Sequence, residues 1–135
     1  MPDTAVHHSL QRVRLEPARG RGDDAEASAI AYEFVAPLGT DGHLSVDGWK
    51  AQRALCFVHR LENGDIVARG LLQHHAGGAR GGTWTFDYEP GGDVAQEVGW
   101  HFEAHAFVAG EYVSIRGEDA ELRTFRIASV TAAAR

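Results

Sequence analysis

Along most of this chain apolar and polar residues alternate with a period of two. That spacing sends one face of a β-strand into a core and the other into water. In residues 9–16, Leu10, Arg12 and Arg14 stand against Val13 and Leu15 until Pro17 interrupts, which predicts an edge strand with a wet arginine side. Residues 18–24 (ARGRGDD) read as a loop. Asp23 or Asp24 would cap a short helix through Ala25, Glu26 and Ala27, yet the better strand formers at 30–35 predict a strand near 28–36. Residues 37–48 are dense in turn formers around a short strand at 44–46, and Asp47 is placed to cap a helical turn carrying Trp49 and Arg53.

From Leu55 the pattern sharpens. Residues 55–61 and 66–74 flank Asn63-Gly64, the strongest short hairpin signal a sequence offers. A regular two-residue turn pairs Leu61 with Ile66, His59 with Ala68, Phe57 with Gly70 and Leu55 with Leu72. His59 then lies on an otherwise apolar, inward face. Residues 74–82 (HHAGGARGG) read as a mobile, glycine-rich connection. Thr83 starts a strand with Trp84, Phe86 and Tyr88 on one face and Thr85 and Asp87 on the other, and residues 90–93 form a turn.

The C-terminal third, residues 97–130, reads as three consecutive strands. A turn at Ala109-Gly110 sets Ala106 opposite Val113, Ala104 opposite Ile115 and Glu103 opposite Arg116. Its core face is Trp100, Phe102, Ala104, Ala106, Val113 and Ile115. The wet face is His101, Glu103, His105, Ser114 and Arg116, with Glu103 and Arg116 as a cross-strand ion pair. A polar loop at 117–121 then brings Phe125 opposite Val113 and Ile127 opposite Glu111.

The count is about eight short strands with turns every dozen residues. This predicts an all-β, single-domain antiparallel meander, a closed or partly open barrel of lipocalin/calycin-like architecture, with a β-sandwich as the alternative. The domain spans 1–135, with 1–8 and 131–135 as loose tails. No family signature is present. In Asp47-Gly48-Trp49 the Gly and Trp are adjacent, unlike the Gly-x-Trp of lipocalins, and His101-Phe102-Glu103-Ala104-His105 lacks the His-x-His of cupins.

Composition narrows the functions. A net charge of −6 argues against a nucleic-acid backbone binder, and the basic cluster Arg12, Arg14, Arg19 and Arg21 is too small to reverse that. One cysteine, Cys56, excludes an internal disulfide. The start lacks a signal-peptide plan and no apolar run is long enough for a bilayer-spanning helix, so the expected location is cytoplasmic and no membrane partner is expected. One lysine against twelve arginines, with abundant Ala and Gly, suggests a GC-rich bacterial genome.

Three function classes follow. The first is a small-molecule-binding barrel without a catalytic motif, its apolar or aromatic ligand held by Phe57, His59, Trp84, Phe86, Tyr88, Trp100 and Phe102. His59 is its polar anchor and the loop at 74–82 its entrance. The second is an interaction module that uses edge strands or outer faces, with a homodimer among its possible forms. The third is an enzyme with His59 as general acid or base, or with Glu103 and His105 in a metal site. On a strand His101 and His105 stand about 13 Å apart, which rules out one shared ion with ~2 Å bonds. No metal is therefore expected there, nor at the adjacent pair His7-His8. No cofactor fingerprint occurs, because the glycines of 76–82 lead into a strand and not into a phosphate-holding helix.

Overall fold

In the computed structural model, which describes residues 9–18, 30–77 and 82–133, the alternating segments close into an antiparallel meander barrel. Its strands are β1 (Ser9–Pro17), β2 (Ile30–Leu38), β3 (Phe57–Glu62), β4 (Asp65–His75), β5 (Thr83–Tyr88), β6 (Gln96–Trp100), β7 (Tyr112–Arg116) and β8 (Leu122–Ala132). Each pairs with the next, and β8 pairs back onto β1. The residues 19–29 and 78–81, with the capping aspartates and the tip of the glycine-rich connection, lie outside the described residues, as do 1–8 and 134–135.

Closure corrects two expectations. β1 is not an edge, since it bonds to β2 on one side and β8 on the other. Nor do residues 131–133 fray. Thr131 and Ala132 sit opposite Arg12 and Gln11, and the Ala133 N–H donates to the Leu10 carbonyl at 2.9 Å. The reason is shared: a closed barrel satisfies the backbone groups that an open sheet leaves bare. An interaction mode that adds a strand to a free edge loses its footing.

The barrel interior is filled by side chains. Val13, Leu15, Tyr32, Phe34, Val58, Leu72, Trp84, Phe86, Phe102, Phe107, Val113, Ile115, Phe125 and Ile127 are all buried. Their rings are in van der Waals contact: Phe34 and Phe86 have centroids 5.2 Å apart, Phe102 and Phe107 5.1 Å, Tyr32 and Phe125 5.1 Å. The expected placement of Phe125 opposite Val113 holds, and so does that of Ile127 beside Glu111, whose carbonyl accepts from the Ile127 N–H at 2.8 Å.

One end is capped by α1 (Val46–Gln52) and a 3₁₀ turn at Arg53–Leu55. Ser45, not Asp47, caps α1: its hydroxyl accepts from the Gly48 N–H at 3.0 Å, and Asp47 falls in the first turn, where a carboxylate suits the helix dipole. Trp49 is buried and its indole N–H donates to the Leu72 carbonyl at 2.8 Å, pinning α1 to β4. The short strand expected at 44–46 reduces to one bridge, Leu44 with Leu38, and Leu55 belongs to the exposed 3₁₀ turn and not to a strand.

Two local irregularities move side chains to the opposite face. The β3–β4 ladder shifts between Arg60 and Leu61: Leu61 faces Ile66, but Arg60 faces Ala68, so Val67 is an extra residue. Beyond this bulge the partners are His59 with Arg69, Val58 with Gly70 and Phe57 with Leu71. Val58 is therefore inward and fully buried, while Phe57 and His59 turn outward. The second irregularity is His101, whose φ of 56° ends β6. A 3₁₀ turn at Phe102–Ala104 follows, and Ala104 is exposed. β7 pairs with β6, Ser114 opposite Trp100 and Arg116 opposite Val98, so Arg116 does not face Glu103.

Candidate functional site

The bulge leaves Phe57 and His59 on the outer wall, over a groove of about 410 Å³ between β3, β4 and β5. Two rows of residues build it. One runs Arg14, Glu33, His59, Arg69 on successive strands, continued by Glu89, whose N–H donates to the Arg69 carbonyl at 2.8 Å. The other runs Phe57, Leu71, Asp87, Gln96. The first row is charged. The second supplies an apolar floor with an acid at its end.

The Phe57 and His59 rings lie 4.9 Å apart and tilted by 32°, and the Arg12 guanidinium sits 5.4 Å from the Phe57 centroid. Partial burial holds the His59 imidazole below its ordinary 6.5, Arg69 and Arg12 push the same way, and Glu33 opposes them. Asp87 is engaged: it accepts from the Thr85 hydroxyl at 2.8 Å and the Gln96 amide at 3.0 Å. With its hydrogen so committed, Thr85 receives one from His75 Nε2 at 2.9 Å. Arg69 and Glu89 differ. Among the described residues neither belongs to an ion pair, although their backbones are hydrogen-bonded.

Inside the barrel, at the end away from α1, a polar knot interrupts the aromatic fill. The Tyr32 and Tyr88 hydroxyls both donate to Glu97 Oε1 at 2.9 Å. Arg60 Nε lies 3.4 Å from the same oxygen without hydrogen-bond alignment, and Arg60 Nη1 pairs with Glu62. Burial, reinforced by the Glu97 charge, pushes both phenols far above their ordinary 10.0. Burial is the largest single influence and works against the Arg60 charge, but Glu97, Tyr32 and Glu62 together outweigh it and the guanidinium is held firmly protonated. Apart from Arg60 Nε, these groups satisfy one another, as buried charge must be satisfied to be tolerated.

The seven residues expected to line one interior are thus divided. Trp84, Phe86 and Phe102 are core rings, and Tyr88 places its ring inside while its backbone borders the groove. Phe57 and His59 are in the groove. Trp100 is half-buried on the outside, sandwiched between the His101 ring at 4.5 Å and the Arg116 guanidinium at 5.0 Å. His101 stacks on a neighbour, and Glu103 and His105 lie in and after the 3₁₀ turn, so the strand spacing applied to them does not describe them. Among the described residues no group of three or more His, Cys, Asp or Glu is close enough to hold a metal ion, and no helix is long and apolar enough to cross a membrane.

His74, expected at the junction of the strand and the mobile loop, is in β4 on the inner side, its ring 4.6 Å from Trp84 and 5.9 Å from Trp49. Sequence reasoning missed Arg69, Leu71 and Glu89 as partners of His59, because the bulge changes who faces whom. It also missed Glu97. The signal was Gly99 two residues on, since a strand glycine marks a close approach: a Cβ there would stand 2.4 Å from the Phe102 ring.

A larger recess, about 560 Å³, lies beside α1's end of the barrel, with Leu38, Phe107, Val108 and Val130 in its wall. Its one charged side chain, Asp41, is already held by His43, whose Nδ1 is 3.2 Å away. The smaller groove is the better equipped, because two of its charged side chains, Arg69 and Glu89, have no ion-pair partner among the described residues. The chain matches no protein-family model, no curated protein and no solved structure.

Proposed function

We propose that this protein binds a small aromatic molecule, in the outer groove over Phe57 and His59 and not inside the barrel. The observation that carries the reading is an outward pair of stacked rings beside Leu71 and an Arg69 with no ion-pair partner among the described residues, in a recess of about 410 Å³. Small-ligand sites combine apolar surface with a few directed polar groups in this way. The interior offers no comparable room, because Phe34, Phe86, Phe102 and Phe107 already pack at ring distances of 5–6 Å. A guest there would have to displace rings whose packing stabilises the fold.

Indole is a suitable first probe, followed by NMR of the His59 ring and the Leu71 methyls. The expected result is a saturable shift at both, lost in Phe57→Ala, with the Ile127 methyls unmoved. A shift confined to Ile127 would move the ligand to the interior, and no shift at any aromatic probe's solubility limit would end the proposal.

A further inference from the structure

Resting on that reading of the groove, we infer that its ligand is zwitterionic: an aromatic amino acid or a close analogue, with its carboxylate on Arg69 and its ammonium on Glu89. Arg69 on β4 and Glu89, the residue just after β5, are opposite charges joined through the backbone. Side chains so placed ordinarily close on each other as a cross-strand ion pair. Here they do not, and among the described residues neither has another ion-pair partner. β4 and β5 run about 4.8 Å apart where they pair, and Glu89 directly follows β5. A carboxylate and an ammonium on one carbon fit that separation and complete both pairs at once.

The rest of the groove suits such a molecule. The ring attached one or two carbons away reaches the floor formed by Phe57 and Leu71, which lie one row from Arg69. His59, next to Arg69 in its own row, can donate to the same carboxylate. The remaining charged groups near the site are committed. Asp87 holds the Thr85 hydroxyl and the Gln96 amide. Glu33 is shared between Arg12 at 3.9 Å and Arg14 at 3.5 Å. A ligand with only a negative charge would meet Asp87 and Glu89 in the same groove, and one with only a positive charge would meet Arg69. Net selection for both charges follows from the layout.

Four probes that share one ring separate the possibilities: tryptophan, indole-3-acetate, tryptamine and indole, titrated calorimetrically into the intact chain. Tryptophan is expected to bind about tenfold more tightly than either singly charged probe, the difference of roughly one charge-assisted hydrogen bond. Arg69→Gln should weaken tryptophan and indole-3-acetate by a similar factor and leave tryptamine and indole unchanged. Glu89→Gln should weaken tryptophan and tryptamine only. Both positions are exposed, so an unchanged melting temperature verifies that the variants fold. If indole or a singly charged probe binds as well as tryptophan, the zwitterion inference is wrong while the aromatic groove stands. If none of the four binds, both are wrong.

Discussion

Trp100 and Phe102 are two residues apart and share parity, yet one is half outside and the other fully buried. His101 causes the difference. Its left-handed φ of 56° ends the strand, after which the chain doubles back and lays Phe102 over Gly99, where only a hydrogen leaves room for the ring. Phe102→Ala should therefore cost about 3–5 kcal/mol, the range for a buried aromatic truncated to a cavity. Trp100→Ala should cost less than about 1.5 kcal/mol, since its ring keeps water on one side and loses chiefly the Arg116 contact. Urea unfolding of both variants measures this. Equal costs would contradict the fold of this segment. The aromatic content of 97–104 was legible in the sequence; which ring faces inward was not, because a non-glycine left-handed residue is uncommon and leaves no mark in the alternation.

At the scale of elements, the hairpin at Asn63-Gly64 shows the same division. The turn was readable because both residues take positive φ, 54° and 86°, as the tightest hairpins require. The extra residue, Val67, was not readable, because β-branched residues look alike in and out of register. Its effect is large: it puts Ile66 on the outer face and Ala68, two residues on, on the inner face, so Val58 and Leu72 turn inward together and His59 stays in the groove. Deleting Val67 would regularise the ladder and keep every pair on either side of it, Leu61 with Ile66 and Arg60 with Ala68, so neither Val58 nor His59 changes face. Because Val67 is itself exposed, the expected outcome is a change in stability below about 1 kcal/mol. Differential scanning calorimetry reads it, and loss of the cooperative transition in the deletion variant would contradict this register.

For the whole molecule, the knot of Tyr32, Tyr88, Glu97 and Arg60 makes stability depend on alkali. Both tyrosines have folded-state pKa values raised above the ordinary 10.0. A raised value means that folding favours the protonated phenol. Their contribution is thus complete below pH 10 and is lost as pH climbs above it. The melting temperature should fall steeply in that range. Tyrosinate absorbance should account for all three tyrosines of the chain only once the fold is lost. Tyr32→Phe with Tyr88→Phe should flatten that alkaline limb. Full tyrosinate absorbance in the still-folded protein would mean the hydroxyls do not meet Glu97.

The sequence alone determined that this chain is an all-β meander of about eight strands, where most of its turns fall, and that Val113, Ile115, Phe125 and Ile127 belong to the core. Those features rest on local chemistry: alternation, turn residues and the parity of a short loop. Only the tertiary structure decided that β8 closes onto β1, that α1 seals one end through Trp49, and that Phe57 and His59 join Arg69 and Glu89 on the outer wall. Each of these depends on long-range pairing or on a single-residue shift of register. Period-two alternation is blind to such a shift, because a strand moved by one residue has the same pattern with its faces exchanged.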